Sequence, residues 1–120
     1  MSLQPGSADA MLQTRSPPTD PMTTIVFALF PRITQLDFTG PHEVLWRLPG
    51  ARCVLASATG GVIDADGGLC FDTQPLAAVE QADVLLVPGG FGVIAAMEDP
   101  VFVAQLKRLG AGARVVASVC

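Results

Sequence analysis

The chain predicts a doubly wound α/β layer, a mostly parallel sheet sandwiched by helices, of flavodoxin-like type. Three observations carry that prediction. Apolar, β-branched runs of strand length lie at residues 24–30, 82–87 and 114–119, and unbroken runs of this kind suit strands buried on both faces. Stretches with helical spacing of apolar residues separate strand runs, the alternation that builds parallel sheets. Gly and Pro, 12 and 10 of the 120 residues, stand where each run should stop.

The elements follow in order. The first strand, at 24–30, ends at Pro31. Gly40-Pro41 opens a helix with Pro41 near its first position, and Val44, Leu45 and Leu48 form its apolar face until Pro49-Gly50 stops it. A second strand at 52–58 is closed by Gly60-Gly61. Val62-Ile63-Asp64 and Leu69-Cys70-Phe71-Asp72 then flank Asp66-Gly67-Gly68, a short hairpin signal. The next core strand, at 82–87, runs into Pro88-Gly89-Gly90. Asp99 reads as a helix N-cap with Pro100 in the first turn. Val101, Leu106 and Leu109 give that helix its inner face, residues 110–112 end it, and the last strand is 114–119.

Composition excludes several classes. Half the residues are hydrophobic and 15% are charged, as in a soluble globular domain, and the net charge of −4 argues against a nucleic-acid surface. No apolar run reaches the roughly 18–20 residues that a spanning helix needs. Residues 1–22 carry Pro5, Pro17 and Pro18 without apolar periodicity, and lack the basic start and apolar core of an export signal. They are expected to be a disordered leader, leaving 23–120 as the folded part. The three cysteines, Cys53, Cys70 and Cys120, are spaced too widely for a CxxC pair. An odd count without an export signal predicts reduced thiols and a cytoplasmic setting. Cys53 and Cys70 read as small buried core residues.

In a doubly wound sheet, ligands bind beyond the carboxyl ends of the strands. Three features fall there: Asp37, the bend Pro88-Gly89-Gly90-Phe91-Gly92, and Cys120. Asp37 suits either a helix-start acceptor or a carboxyl group that handles a proton beside a thiol. His42 reads as a surface histidine, and Glu43 as a first-turn residue favoured by the helix dipole. The glycines suit either a tight turn or a nest of unobstructed N–H groups for an anion. Neither GxGxxG nor GxxxxGK[ST] occurs, so no dinucleotide or nucleoside triphosphate is implied. Cys120 is either a buried strand-end thiol or a nucleophile on a strand-to-helix turn, where a helix N-terminus lowers the thiol pKa.

Taken in order, Gln35-Leu36-Asp37-Phe38-Thr39-Gly40-Pro41, Val87-Pro88-Gly89-Gly90-Phe91-Gly92 and Ala117-Ser118-Val119-Cys120 resemble the DJ-1/PfpI superfamily, the class I glutamine amidotransferase-like fold. Within it they look most like the isonitrile (isocyanide) hydratase branch. The resemblance implies that Cys120 is the elbow nucleophile and Asp37 its acidic partner. It implies that Gly90, with Gly89, supplies an anion-stabilising N–H, and that Thr39 shapes the Asp37 loop as part of the substrate site. It also implies a carbon–nitrogen lyase hydrating a small isocyanide, working as a homodimer with neither metal nor organic cofactor. Two other members of the superfamily remain open as readings: a non-catalytic sensor domain of a transcription regulator, and a glyoxalase-like or stress-protective relative. The last strand lacks a covering helix after it, so this stretch is expected to be the N-terminal part of the fold, with more chain beyond Cys120.

Overall fold

The apolar run after Met22 becomes the middle of the sheet. In a computed structural model, which describes residues 22–119, it forms β1 (Thr23–Ala28), followed by α1 (Gln35–Leu45), β2 (Ala51–Ser57), β3 (Gly61–Asp64) and β4 (Cys70–Pro75). A single 3₁₀ turn at Leu76–Ala78 leads to β5 (Val84–Val87), α2 (Val93–Glu98), α3 (Pro100–Gly112) and β6 (Val115–Ser118). The strand order is β3-β4-β2-β1-β5-β6. Every neighbouring pair is parallel except the β3–β4 hairpin.

Register shows why both faces of the central strands are apolar. Phe27 lies beside Leu55 and Leu86, and Leu86 beside Ala117. On that face α1 packs, with the Phe38 and His42 rings 5.3 and 5.5 Å from Phe27. Val26, Leu85 and Val116 share the opposite register row. There α3 approaches closely: a Cβ on Gly110 would touch both Leu85 and Val116. Residues 25–30 are all buried, and each large side chain removed from water contributes roughly 1.5–3 kcal/mol. A strand buried on two sides can therefore be apolar without interruption.

Several local expectations are corrected. Helix α1 begins at Gln35, not at Gly40-Pro41, and holds Pro41 in its interior. Its first turn closes through the Asp37 N–H donating to the Thr34 carbonyl at 3.0 Å. Pro41 costs the helix one backbone bond, which the packing of Phe38 and His42 on Phe27 offsets. The inner face is accordingly Phe38, His42 and Leu45, while Val44 is 66% exposed and Leu48 faces water too. His42 is half-buried against two aromatic rings rather than free on the surface.

In α3 the cap is as expected, with the Asp99 carboxylate accepting from the Val101 and Phe102 N–H groups. The buried residues are Phe102 and Leu109, with Leu106 packed beside them, and Val101 is exposed instead. Helix α2, six residues long, has no counterpart in the sequence reading. Cys53 is half-buried, packed against the core rather than within it. Cys70, also expected in the core, is exposed on the hairpin, where its thiol donates to Asp64 Oδ1 at 3.1 Å. The expected leader, apart from Met22, lies outside the described residues. No helix among the described residues is long and apolar enough to cross a membrane.

Candidate functional site

The carboxyl ends of β1, β5 and β6 converge on the loops that carry the site. After β1 the chain crosses Pro31, Arg32, Ile33 and Thr34 and enters α1, whose first turn holds Asp37. After β5 it passes Pro88, Gly89 and Gly90 into α2. One residue ties the two loops together. The Thr34 N–H donates to the Gly89 carbonyl at 2.9 Å, and the Thr34 carbonyl accepts from the Asp37 N–H. One backbone bond thus ties the turn bearing the carboxylate to the glycine bend, and the other closes the turn itself.

Gly90 is required by space and by conformation. Its φ of 137° belongs to a region that L side chains rarely adopt, and a Cβ there would lie 2.5 Å from the Thr34 nitrogen and 2.7 Å from the Arg32 oxygen. A Cβ on Gly92 would run into the Pro31 carbonyl. The loops can pack backbone to backbone because no side chain stands between them. Among the described residues the Gly90 N–H donates to no protein acceptor, whereas its carbonyl accepts from Val93. A free amide on a glycine bend is suited to hold an anion.

Asp37 is half-buried, and its carboxylate makes no hydrogen bond among the described residues. The Thr39 hydroxyl is turned back along α1, 2.7 Å from Gln35 Oε1 and 3.0 Å from the Gln35 carbonyl. Thr39 and Gly40 lie within a helix, so the segment bearing Asp37 is not the loop expected from the sequence. Cys120 lies outside the described residues. The strand leading to it runs beside β5, with Ser118 paired to Val87 and the Val119 N–H donating to the Val87 carbonyl at 3.1 Å. The chain therefore reaches residue 119 two residues' length from Gly89.

The apolar cavity of about 290 Å³ lies elsewhere, between Leu29, Phe30, Ile63, Ala96, Asp99 and Phe102. Gly92 borders it, but Asp37, Thr39, Gly89 and Gly90 do not. No group of three potential metal ligands among His, Cys, Asp and Glu occurs among the described residues.

Sequence reasoning passed over Arg32. It has the only positive φ of a non-glycine residue among those described, 66°, and its backbone and its Nε are both bonded. Its N–H donates to the Asp64 carbonyl, its carbonyl accepts from the Gly92 N–H, and its Nε lies 3.2 Å from Asp66 Oδ1. Its guanidinium carbon sits 5.6 Å from the Phe91 ring centre. An arginine after a proline carries no sequence signal for a left-handed backbone, so only the structure reveals it.

Comparison with known proteins bears on the same segments. The chain is 38% identical over 99 residues to an isonitrile hydratase of Pseudomonas putida, across 80% of this chain and 42% of that protein. Its fold matches the crystal structure of a THiJ/PfpI family protein from Pseudomonas syringae, with a TM-score of 0.79 and 27% identity over 88% of this chain and 49% of the other. It also matches an AraC family transcriptional regulator from Pseudomonas putida, with a TM-score of 0.50 and 26% identity over 57% of this chain and 48% of that one. The chain thus spans less than half the length of each. The family model described as the DJ-1/PfpI family matches residues 23–120, and the chain belongs to that family.

Proposed function

We propose that the protein is an isonitrile hydratase-like enzyme that converts an isocyanide to an N-substituted formamide. The observation that carries this reading is the Thr34 bridge, which registers the Asp37 turn against a glycine bend whose Gly90 N–H has no acceptor among the described residues. Similarity to an isonitrile hydratase over 80% of the chain supports the choice of substrate.

In the proposed reaction the Cys120 thiolate attacks the terminal carbon of R–N≡C. A proton delivered by Asp37 to that carbon gives the thioimidate R–N=CH–S–Cys. Water then adds to the carbon, and loss of the thiolate with protonation of nitrogen releases R–NH–CHO. The net change is the addition of one water. The Gly90 N–H, with Gly89 beside it, stabilises negative charge as it develops, the role oriented backbone donors serve best. Thr39 borders the substrate by holding the first turns of α1. The site needs neither metal nor organic cofactor and works in a homodimer in the cytoplasm, on a small substrate without net charge.

The test is turnover of an aryl isocyanide by the full protein. Cys120→Ala should abolish it. Asp37→Asn should lower kcat by about 10²-fold or more, the scale of a positioned proton donor, with the thermal midpoint unchanged. Full activity in either variant would remove the role assigned to it. Likeness to an AraC family regulator favours a second reading, a sensor domain that binds a ligand without turning it over. Absence of isocyanide turnover in the wild-type protein would support that reading, whereas methylglyoxal hydration without isocyanide turnover would point to a glyoxalase-like relative.

A further inference from the structure

We infer that Arg32 is a positioning residue that sets the spacing between the Asp37 turn and the Gly90 amide, through a clasp with Asp66 and Phe91. The inference rests on the proposed reaction for its catalytic consequence and on the geometry alone for the clasp.

The clasp joins three segments. The β1–α1 loop supplies Arg32, the β3–β4 turn supplies Asp66, and the bend after β5 supplies Phe91 and Gly92. Arg32 binds the second segment through its N–H to the Asp64 carbonyl and its Nε to Asp66, and the third through its carbonyl to the Gly92 N–H. The Asp66 N–H closes the loop by donating to the Ile33 carbonyl at 3.1 Å. Two residues on, Thr34 makes the bonds that register Gly89 against Asp37.

Two features show that this arrangement is held against a cost. A left-handed backbone at a residue with a long side chain is strained, and such strain persists where surrounding contacts over-determine it. Asp66 Oδ2 is buried without a hydrogen-bond partner among the described residues. That leaves Arg32 as the side chain countering the Asp66 carboxylate, and removing it would leave the carboxylate unpaired. Phe91 is 79% exposed, and its ring has the Arg32 guanidinium carbon 5.6 Å from its centre. Without the side-chain contacts, the glycine bend and the start of α1 are held by backbone bonds alone, and the spacing set at Thr34 is less firmly fixed. Small misplacements of reacting groups cost rate more than binding.

Arg32→Gly tests this cleanly, because glycine accepts the backbone angle while losing the side chain; relief of strain then offsets lost contacts in stability. In the full protein, with an aryl isocyanide, Arg32→Gly should lower kcat about tenfold and leave KM within about twofold, with an unchanged thermal midpoint. Arg32→Lys, which can still pair with Asp66, should recover most of that loss. Asp66→Asn, which keeps the shape and removes the charge, should reproduce the kcat defect. An unchanged kcat in both Arg32→Gly and Asp66→Asn overturns the inference, as does a loss confined to KM. If the wild-type protein hydrates no isocyanide, the proposed reaction fails and amide hydrogen exchange decides the clasp. Faster exchange at the Thr34 and Gly92 amides in Arg32→Gly, with β1 and β5 amides unaffected, retains it. Unchanged exchange at Thr34 and Gly92 discards it.

Discussion

At the scale of single residues, the hairpin thiol shows how one neighbour sets reactivity. The Asp64 carboxylate, hydrogen-bonded to Cys70 and repelling a negative charge beside it, holds its thiol above the ordinary thiol range. A carboxylate beside a thiol opposes the thiolate, so alkylation of Cys70 should need a higher pH than an ordinary exposed thiol. Asp64→Asn should move the midpoint of its iodoacetamide alkylation profile to lower pH, and an unmoved midpoint would rule out that control. The linkage has a definite sign. The folded state keeps this proton longer than the unfolded chain, so its stabilising effect is complete below the ordinary thiol range. It is lost as pH rises through the raised value. Cys70 also marks a limit of sequence reading. Its apolar neighbours Leu69 and Phe71 suggest burial, but strand alternation and an edge hairpin turn it outward. Gly89 and Gly90 were legible as a bend at the strand ends, because glycine signals its own conformational freedom. Arg32 was not, because its backbone angle is imposed by partners distant in sequence.

At the scale of elements, capping chemistry was readable and helix phase was not. Asp99 followed by Pro100 marks the start of α3, and the carboxylate accepts from Val101 at 2.9 Å and from Phe102 at 3.4 Å. Asp99→Ala should destabilise the protein by about 1 kcal/mol, seen as a lower thermal midpoint with unaltered secondary structure. No change in the midpoint would mean that tertiary packing alone holds the helix end. For α1, Pro41 was read as a helix start because proline is tolerated best in a first turn. The structure keeps it inside, because Phe38 and His42 anchor both sides of the break on Phe27. The consequence for the site is large: Asp37 belongs to a helix turn rather than to a loop. Helix α2 escaped notice because six residues are too few to display a helical period.

At the scale of the whole molecule, the parallel sheet was the most legible property. Its signal is spread over three long apolar runs rather than resting on one residue. Phe27 is the point where the layers meet. It lies fully buried in β1 under the rings of Phe38 and His42, and Phe38 in turn packs edge-on against Phe71 of β4 at 5.0 Å. Phe27→Ala should cost about 3–5 kcal/mol, read as a lower urea midpoint of the full protein. A loss below about 1 kcal/mol would show that the aromatic group can collapse around the gap.

The strand order also governs how the molecule comes into being. β1 precedes the other strands described, yet it sits between β2 and β5. One side can pair once residues 51–57 exist, but the other stays bare until Val84–Val87 have been synthesised. During that interval on the ribosome, the run Ile25-Val26-Phe27-Ala28-Leu29-Phe30 is a sticky, half-paired edge. Pairing on that side therefore depends on a contact distant in sequence, the kind of non-local closure that slows folding more than forming a helix does.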